Sequence, residues 1–497
     1  MTVVQGSDLR LVPAALLTWA ACFVAVGLDA RGALAVAAVL AGTGAVVATA
    51  LRRAVGARVG ADHVGVTVAL ACAAAALACA VTSVQVAVRE AGPLVALADE
   101  QAHATVTGRV VGDPVPVGRW GERYRVRLRV GHVHAPHLSG GSAAVVVVTG
   151  GPGWDGARHG STVRADGRLA RVPRGGEAVA DLHATGPPGT TEPAGGGAAV
   201  VETFRRDLRH VTADLPPDHR ALVRGSAVGA TQDLPDDLRQ AMRDAGLTHV
   251  TAVSGAHFAV LAVTVLGLLG VLRAPPVARA AVLAATALAF VHLVHGGASV
   301  TRAAAAAAAW VLAPVLRRPS RAVPALAAGA TVLLLVDPWL SRSYGFVLSV
   351  AATAAIVLLA PALVSRRPAG VPRSAATLVA VPLAAQLACA PVLVLLDPVV
   401  TTYAVPANVL AAPALLPATL LGLLATVLAP SLPEVAEVVA RLAAVPAAWV
   451  GVVARTAAGL PGARLRWVPG WPGAAALALV VTVAVTVLLR QRRPVDR

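Results

Sequence analysis

The chain has 497 residues, of which 57% are hydrophobic and only 14% are charged, and its mean hydropathy is +0.71. These values exclude a water-soluble globular protein and are typical of proteins that cross a membrane many times. The formal net charge of +16 comes entirely from arginine, because the sequence contains no lysine.

The first 88 residues contain three apolar runs, 11–28, 33–51 and 64–88, each near the length of a spanning helix. No small-residue cleavage site with a polar stretch after it follows the first run, so this run is predicted to be a helix rather than a signal peptide. Three arginines separate the second and third runs, and the positive-inside rule places that loop and residue 1 in the cytoplasm. Three crossings then put the next segment on the outer face.

Residues 103–188 alternate between apolar and polar side chains, a pattern typical of half-buried strands. Five strands are predicted between clusters of Gly, Pro, Asp and Ser: Ala104–Gly112, Glu122–Gly131, Ala143–Thr149, Ser161–Arg171 and Ala178–Ala184. Five short strands in a segment of this size predict a small extracytoplasmic β-barrel that is OB-fold-like, although the pattern alone does not separate the OB-fold from other small barrels.

The second of these strands has arginine at every other position. Alternation places all of these arginines on one face of the strand: Arg123, Arg125, Arg127 and Arg129. Residues 103–187 contain 11 arginines against 6 acidic residues. The face is predicted to bind a nucleic-acid backbone, and the alternative is a solvated strand face without a ligand.

Residues 186–197 are rich in Pro, Gly and Thr and are predicted to be a linker. Two amphipathic helices are predicted after it, over 200–210 and 234–245. The second has Asp233 before it and Gly246 at its end, which are typical helix boundary residues. Its apolar side chains share one face, so the helix is predicted to lie on the outer surface of the membrane.

Nine further apolar runs complete the chain: 248–272, 280–297, 299–316, 322–336, 344–364, 375–396, 403–429, 434–459 and 474–490. With the first three they predict a polytopic α-helical membrane protein with about 12 transmembrane helices. Arginine-rich loops fall on alternate sides of these runs and place both termini in the cytoplasm, with Arg464 and Arg466 as the main exceptions.

The first of the nine runs carries polar residues at its start: His249, Ser254, Gly255 and His257. Polar groups in hydrocarbon are costly, so these residues are predicted to face a protein interior or a wet cavity. The alternative for Ser254 and Gly255 is that small side chains simply allow close helix packing.

Other polar candidates within the runs are Arg302, Gln386 and Asn408. Arg302 is predicted to line a pore or pair with another residue, with snorkelling to the interface as the alternative. Gln386 and Asn408 are candidates for the pore or for interhelical hydrogen bonds. His292 and His295 are predicted to lie at the membrane interface.

Four ordered motifs resemble those of one known family. They are GLTH at 246–249 followed by AVSGAH at 252–257, SVTRA at 299–303, DP at 337–338 with GFVLS at 345–349, and NVLAAP at 408–413. Together they resemble the ComEC family of competence-type DNA channels. Ala256, Phe258 and Val347 depart from the family pattern, and the last replaces a polar residue with an apolar one.

The resemblance implies an inner-membrane channel that passes single-stranded DNA into the cytoplasm during natural transformation. It also implies separate proteins that act as DNA receptor, cytoplasmic motor and nuclease; whether the chain forms a homo-oligomer is left open. The rivals are a transporter of another polar or anionic solute and an intramembrane hydrolase that uses Ser254, His249 and His257. Many members of the family carry a C-terminal metallo-β-lactamase-like domain, and this chain is predicted to lack it.

No cofactor and no metal site are predicted. His132, His134 and His137 lack the aspartate of the metallo-β-lactamase motif, and they are predicted to lie in a loop. No P-loop is found. The predicted organisation is three N-terminal helices over 1–88, the outer β domain over 89–190, a linker with amphipathic helices over 191–247, the channel region over 248–490 and a cytoplasmic tail over 491–497.

Overall fold

The computed structural model describes residues 8–54, 62–117, 123–251, 255–295 and 322–490. The first three helices are α1 (Val12–Ala25), α2 (Ala30–Ala54) and α3 (Asp62–Glu90). They pack through small side chains, including the fully buried Ala25 and Cys79. Small residues let helix backbones approach closely where the hydrophobic effect offers little drive within lipid.

A short helix, α4 (Leu94–Asp99), leads into the strand domain. Its strands are β1 (His103–Val117), β2 (Arg123–Ala135), β3 (Leu138–Gly141), β4 (Val145–Gly150), β5 (Thr162–Arg171), β6 (Ala178–Ala184) and β7 (Gly189–Glu192). Five of them close a barrel in the order β1-β2-β4-β6-β5 and back to β1. The β4–β6 pairing is parallel and the others are antiparallel. The predicted barrel is therefore confirmed, and its connectivity is OB-fold-like.

The barrel core follows from the alternation in the sequence. Along β2, Val126, Leu128 and Val130 are buried while the residues between them are exposed. Leu94 and Leu97 of α4 also enter the core, and the buried Trp154 donates its indole N–H to the carbonyl of Gly186 at 2.9 Å. The domain thus gains a closed hydrophobic centre and leaves its outer face to polar side chains.

Two local predictions in this domain are wrong. His132 and His134 lie on the outer face of β2, which forms a hairpin with β3, rather than in a loop. A bulge at Gly131 keeps the strand paired there, because Thr107 pairs with His132 while Gly108 pairs with Val130. The predicted linker over 186–197 contains β7, which pairs with β5.

Three helices follow the barrel: α5 (Gly196–Val211), α6 (Pro217–Val228) and α7 (Asp236–Asp244). α5 and α7 match the two predicted amphipathic helices. The apolar face of α7 is buried against other parts of the protein, with Leu238 and Met242 almost inaccessible, so its predicted position on the membrane surface is wrong. The sequence did not predict α6, which is buried over most of its length.

The remaining elements are α8 (Thr248–Thr251), α9 (Gly255–Val271), α10 (Pro276–Leu293), α11 (Ala322–Val336), α12 (Tyr344–Leu358), α13 (Ala360–Val364), α14 (Arg373–Leu396), β8 (Val399–Thr401), α15 (Ala404–Leu428), α16 (Pro433–Gly459), β9 (Arg464–Arg466) and α17 (Gly470–Arg490). Within the described ranges, 8 helices are long and apolar enough to cross a membrane, and three shorter apolar helices accompany them. The polytopic membrane fold is therefore confirmed. The predicted run 299–316 lies outside the described residues.

Candidate nucleic-acid face and intramembrane cavity

The arginine row of β2 lies on the outside of the barrel as the alternation predicted. Each of its members is exposed, and the residues between them face the core or are half-buried: Arg123, Arg125, Arg127 and Arg129 point away from Tyr124, Val126 and Leu128. Only Arg127 of the four forms an ion pair within the described residues, at 3.1 Å to Glu177. The row therefore presents mostly uncompensated positive charge.

The row approaches the membrane helices at Glu177. This residue belongs to the loop between β5 and β6, and its backbone carbonyl accepts a 3.2 Å hydrogen bond from Arg89 near the end of α3. The Arg89 guanidinium in turn stacks 3.3 Å from the ring centroid of Trp339. In OB-folds this loop borders the ligand face, and here it contacts the helical part of the protein instead.

Ion pairs fix the barrel to α3 beside that loop. Glu90 at the end of α3 accepts from Arg174 at 2.8 Å and from Arg171 at 3.4 Å. Arg171 also pairs with Asp99 of α4 at 3.4 Å. These ion pairs attach the barrel to α3, and their arginines are not part of the arginine row on β2.

A second junction joins β1 to α5 and α10. Arg205 is only 2% exposed and donates to Asp113 at 2.5 Å and to the carbonyls of Val228 and Leu293. His295, just after α10, donates from Nδ1 to the other oxygen of Asp113 at 2.8 Å. The ring of His159 stacks on that of His295 with centroids 4.3 Å apart. One buried polar cluster therefore connects the barrel with the membrane helices.

The barrel side of this cluster has shifted pKa values. Burial alone would raise the pKa of Asp113, but the hydrogen bond from His295 and the charge of Arg205 outweigh it and hold the pKa at about 2. Burial, together with His295, lowers the pKa of His159 to about 4. His159 accordingly accepts through Nδ1 from the backbone N–H of Gly112 at 2.8 Å as a neutral ring.

A cavity of about 50 Å³ lies inside the helical part of the protein. Its polar lining residues are Ser226, His249, Thr251, His257 and Thr419, and apolar side chains complete the wall. His257 is 6% exposed, whereas His249 is exposed. The structure thus brings two of the predicted residues to one small cavity, whose exposed wall is mostly apolar.

Helix α6 closes one side of this cavity. It packs against α15 and α16, and Gly422 of α15 allows the approach, because a β-carbon there would lie 3.0 Å from Cβ of Ala227. Arg224 holds the helix from its polar side, with bonds to Asp233 at 2.9 Å and to Thr212 at 2.7 Å. α6 therefore packs against α15 and α16 and lines the cavity together with residues from the middle of both helices.

Asn408 and Gln386 form a second polar set, because each donates a hydrogen bond to a group beside the turn at Gly246. Asn408 donates to the carbonyls of Ala404 at 2.7 Å and Gly246 at 3.4 Å, and Gln386 donates to Thr401 at 3.2 Å. Gly246 has φ of 66°, and a β-carbon there would lie 2.7 Å from Cβ of Ala404. Only glycine fits this turn between α7 and α8 without strain.

The competence-protein family model matches residues 227–493, which is more than half of the chain. This chain belongs to the competence protein family. The matched residues include all the helices from α8 to α17, the second polar set and every polar residue of the cavity except Ser226. No curated protein and no solved structure matches the chain. At the level of the family, the protein is a multi-pass membrane protein that takes part in DNA uptake.

Several predicted residues do not line the cavity or lie outside the described residues. Ser254 and Arg302 lie outside the described residues, and Gly255 is the first residue of α9. His137 contacts Glu100 at 3.0 Å, and no group of metal-ligating side chains occurs among the described residues. The predictions for Ser254 and Arg302 therefore remain predictions.

The position of the first arginine of β9, just before α17, is explained by its ion pairs. Arg464, an exception to the positive-inside pattern, pairs with Asp244 and with Asp397, each at 3.4 Å. These two carboxylates lie at the ends of α7 and α14. Arg464 therefore fastens three segments of the competence-family region together.

The sequence missed the residues that join the barrel to the competence-family helices. Asp113 and His295 are 182 positions apart, so no local pattern connects them. His295 was predicted only as an interface residue, and yet it adopts a φ of 59° and is 8% exposed. A left-handed backbone at a non-glycine residue is strained, and the bond to Asp113 holds it there.

Proposed function

We propose that this protein is a channel of the bacterial inner membrane that passes single-stranded DNA into the cytoplasm during natural transformation. The observation that carries the proposal is the arginine row of β2. It is exposed, has only one acidic partner among the described residues, and approaches the loop that touches α3. A backbone bound along the row is thereby led to the point where the barrel meets the membrane helices.

The cavity with His249 and His257 is the proposed polar part of the path. At about 50 Å³ it is far smaller than the pockets of roughly 300–1,000 Å³ that hold small molecules, so no nucleotide fits in this arrangement. Transport therefore requires a movement of the wall, and the proposal assigns this movement to α6, which packs through buried apolar side chains and is bonded through Arg224. The proposal also includes separate proteins for DNA capture, for the driving force and for strand degradation.

The arginine row is tested by the salt dependence of DNA binding. We expect R123Q/R125Q in the full chain, held in lipid nanodiscs, to bind a fluorescent oligothymidine more weakly than wild type. The slope of log affinity against log salt should fall by about 1.4, because each lost single-strand phosphate contact removes about 0.7. Arg127 is left in place because it pairs with Glu177.

The matched control is R243Q/R466Q, which removes the same charge from two exposed arginines that form no ion pair in the described part of the chain. This control should bind like wild type if position on the barrel matters rather than net charge. Equal affinity and equal salt slope for R123Q/R125Q and wild type would reduce the row to a solvated strand face.

A further inference from the structure

A second arginine faces the row from the neighbouring strand. Arg109 of β1 is the direct cross-strand partner of Arg129 of β2, and both side chains are exposed. Neither forms an ion pair with any carboxylate among the described residues. Like charges directly opposite one another destabilise a sheet, so this pair costs stability unless an anion lies across it.

A third arginine extends the pair to the next strand. Thr107 of β1 pairs with Arg164 of β5, which places Arg164 diagonally next to Arg109. Arg164 is exposed because its neighbours Val163 and Ala165 point into the core. Three adjacent strands span about 10 Å at the usual strand spacing, so the three arginines run obliquely across the barrel from the row on β2.

Three other arginines of the barrel are already engaged. Arg171 and Arg174 pair with Glu90, and Arg168 donates to the side chain and the backbone of Gln101. Two carboxylates beside these strands accept hydrogen bonds from threonines, Asp166 from Thr105 and Glu192 from Thr162. Arg109, Arg129 and Arg164 form no ion pair in the described part of the chain, which leaves their donors available, and guanidinium groups suit the bidentate recognition of phosphate.

We propose that Arg109 and Arg164, with Arg129, form a cross-strand clamp for the phosphates of an incoming DNA strand. The inference rests on the proposed function and adds a second direction to the DNA path, across β5 and β1 before the row on β2. The ligand is the nucleic-acid backbone, whose regularly repeated phosphates match a line of three guanidinium groups.

The test compares R109Q/R164Q with R123Q/R125Q and with the control R243Q/R466Q, each as the full chain in nanodiscs. The probe is a fluorescent oligothymidine, titrated at several salt concentrations. We expect R109Q/R164Q to lower the salt slope by about 1.4, as two lost phosphate contacts require. A second expected result is an unchanged or higher melting temperature without DNA, because the substitution removes the repulsion between Arg109 and Arg129.

The outcomes separate the clamp from the proposed function. Weaker binding by R123Q/R125Q with unchanged binding by R109Q/R164Q would overturn the clamp and leave the proposed function standing. Unchanged binding by both variants would overturn both. A lower melting temperature in R109Q/R164Q would show a structural role and contradict the clamp. Loss of binding to anionic lipid vesicles, with DNA binding intact, would assign the three arginines to a membrane surface and also overturn it.

Discussion

DNA import is expected to fall to the background level when His257 is replaced with leucine, while the protein stays inserted and abundant. His257 is almost completely buried and lines the small cavity together with His249. Leucine fills a similar space but removes the polar ring, so a wet path at this point would close. The measurement is transformation frequency in a deletion strain that carries the variant, together with the amount of protein in the membrane fraction.

The control for His257 is V260L, which enlarges an apolar side chain of the same cavity wall. It should keep most of the import, because it changes volume without removing a polar group. Loss of H257L protein from the membrane would instead assign a packing role to the histidine. Normal import by both H257L and H249L would remove the cavity from the mechanism and leave Asn408 and the undescribed Arg302 as candidates.

Breaking the junction between the barrel and the helices should produce the largest loss of stability. R205M leaves Asp113 partly buried without its charged partner, and removing one member of a buried pair costs about 3–5 kcal/mol. We expect a clear fall in the melting temperature of the purified protein and faster proteolysis between the barrel and α5. R206M is the matched control, because Arg206 is largely exposed and pairs only with Asp207.

A pH titration tests the same junction without any substitution. The pKa of His159 is lowered to about 4, so the unfolded chain takes up a proton near its ordinary value of about 6.5 while the native junction excludes it. This contribution to stability is complete above pH 6.5 and is lost as the pH falls towards 4. Asp113, with a pKa of about 2, adds a further loss only below about pH 3.9. A stability that stays constant from pH 7 to pH 4 would contradict the junction as described.

The barrel was predictable because its strands bury one face and expose the other. Period-two alternation identified all five barrel strands and the outward face of Arg125 and its neighbours. The helices were predictable from apolar runs of membrane length. α6 was not predicted, because it is buried on several sides and has no single apolar face. The polar Arg224 and Ser226 within it also interrupt any apolar run.

The parts of the candidate site that depend on long-range contacts were not predictable. The sequence grouped His249 with His257 because they are eight positions apart, but Ser226 and Thr419 reach the same cavity from distant helices. Asn408 was predicted from its polarity within an apolar run, and its contact with Gly246 could come only from the fold. No local sequence pattern singled out Arg109, because its position opposite Arg129 depends on the register of β1 and β2.

The most direct test of DNA transport across the membrane by this protein is the entry of labelled DNA into intact cells of a deletion strain. Labelled DNA that becomes resistant to externally added nuclease and to osmotic release of the cell envelope has reached the cytoplasm. DNA transport by this protein predicts that the deletion strain binds DNA at its surface but accumulates none in the cytoplasm, and that wild type restores entry while H257L does not. Cytoplasmic DNA accumulating at the wild-type rate in the deletion strain would contradict it.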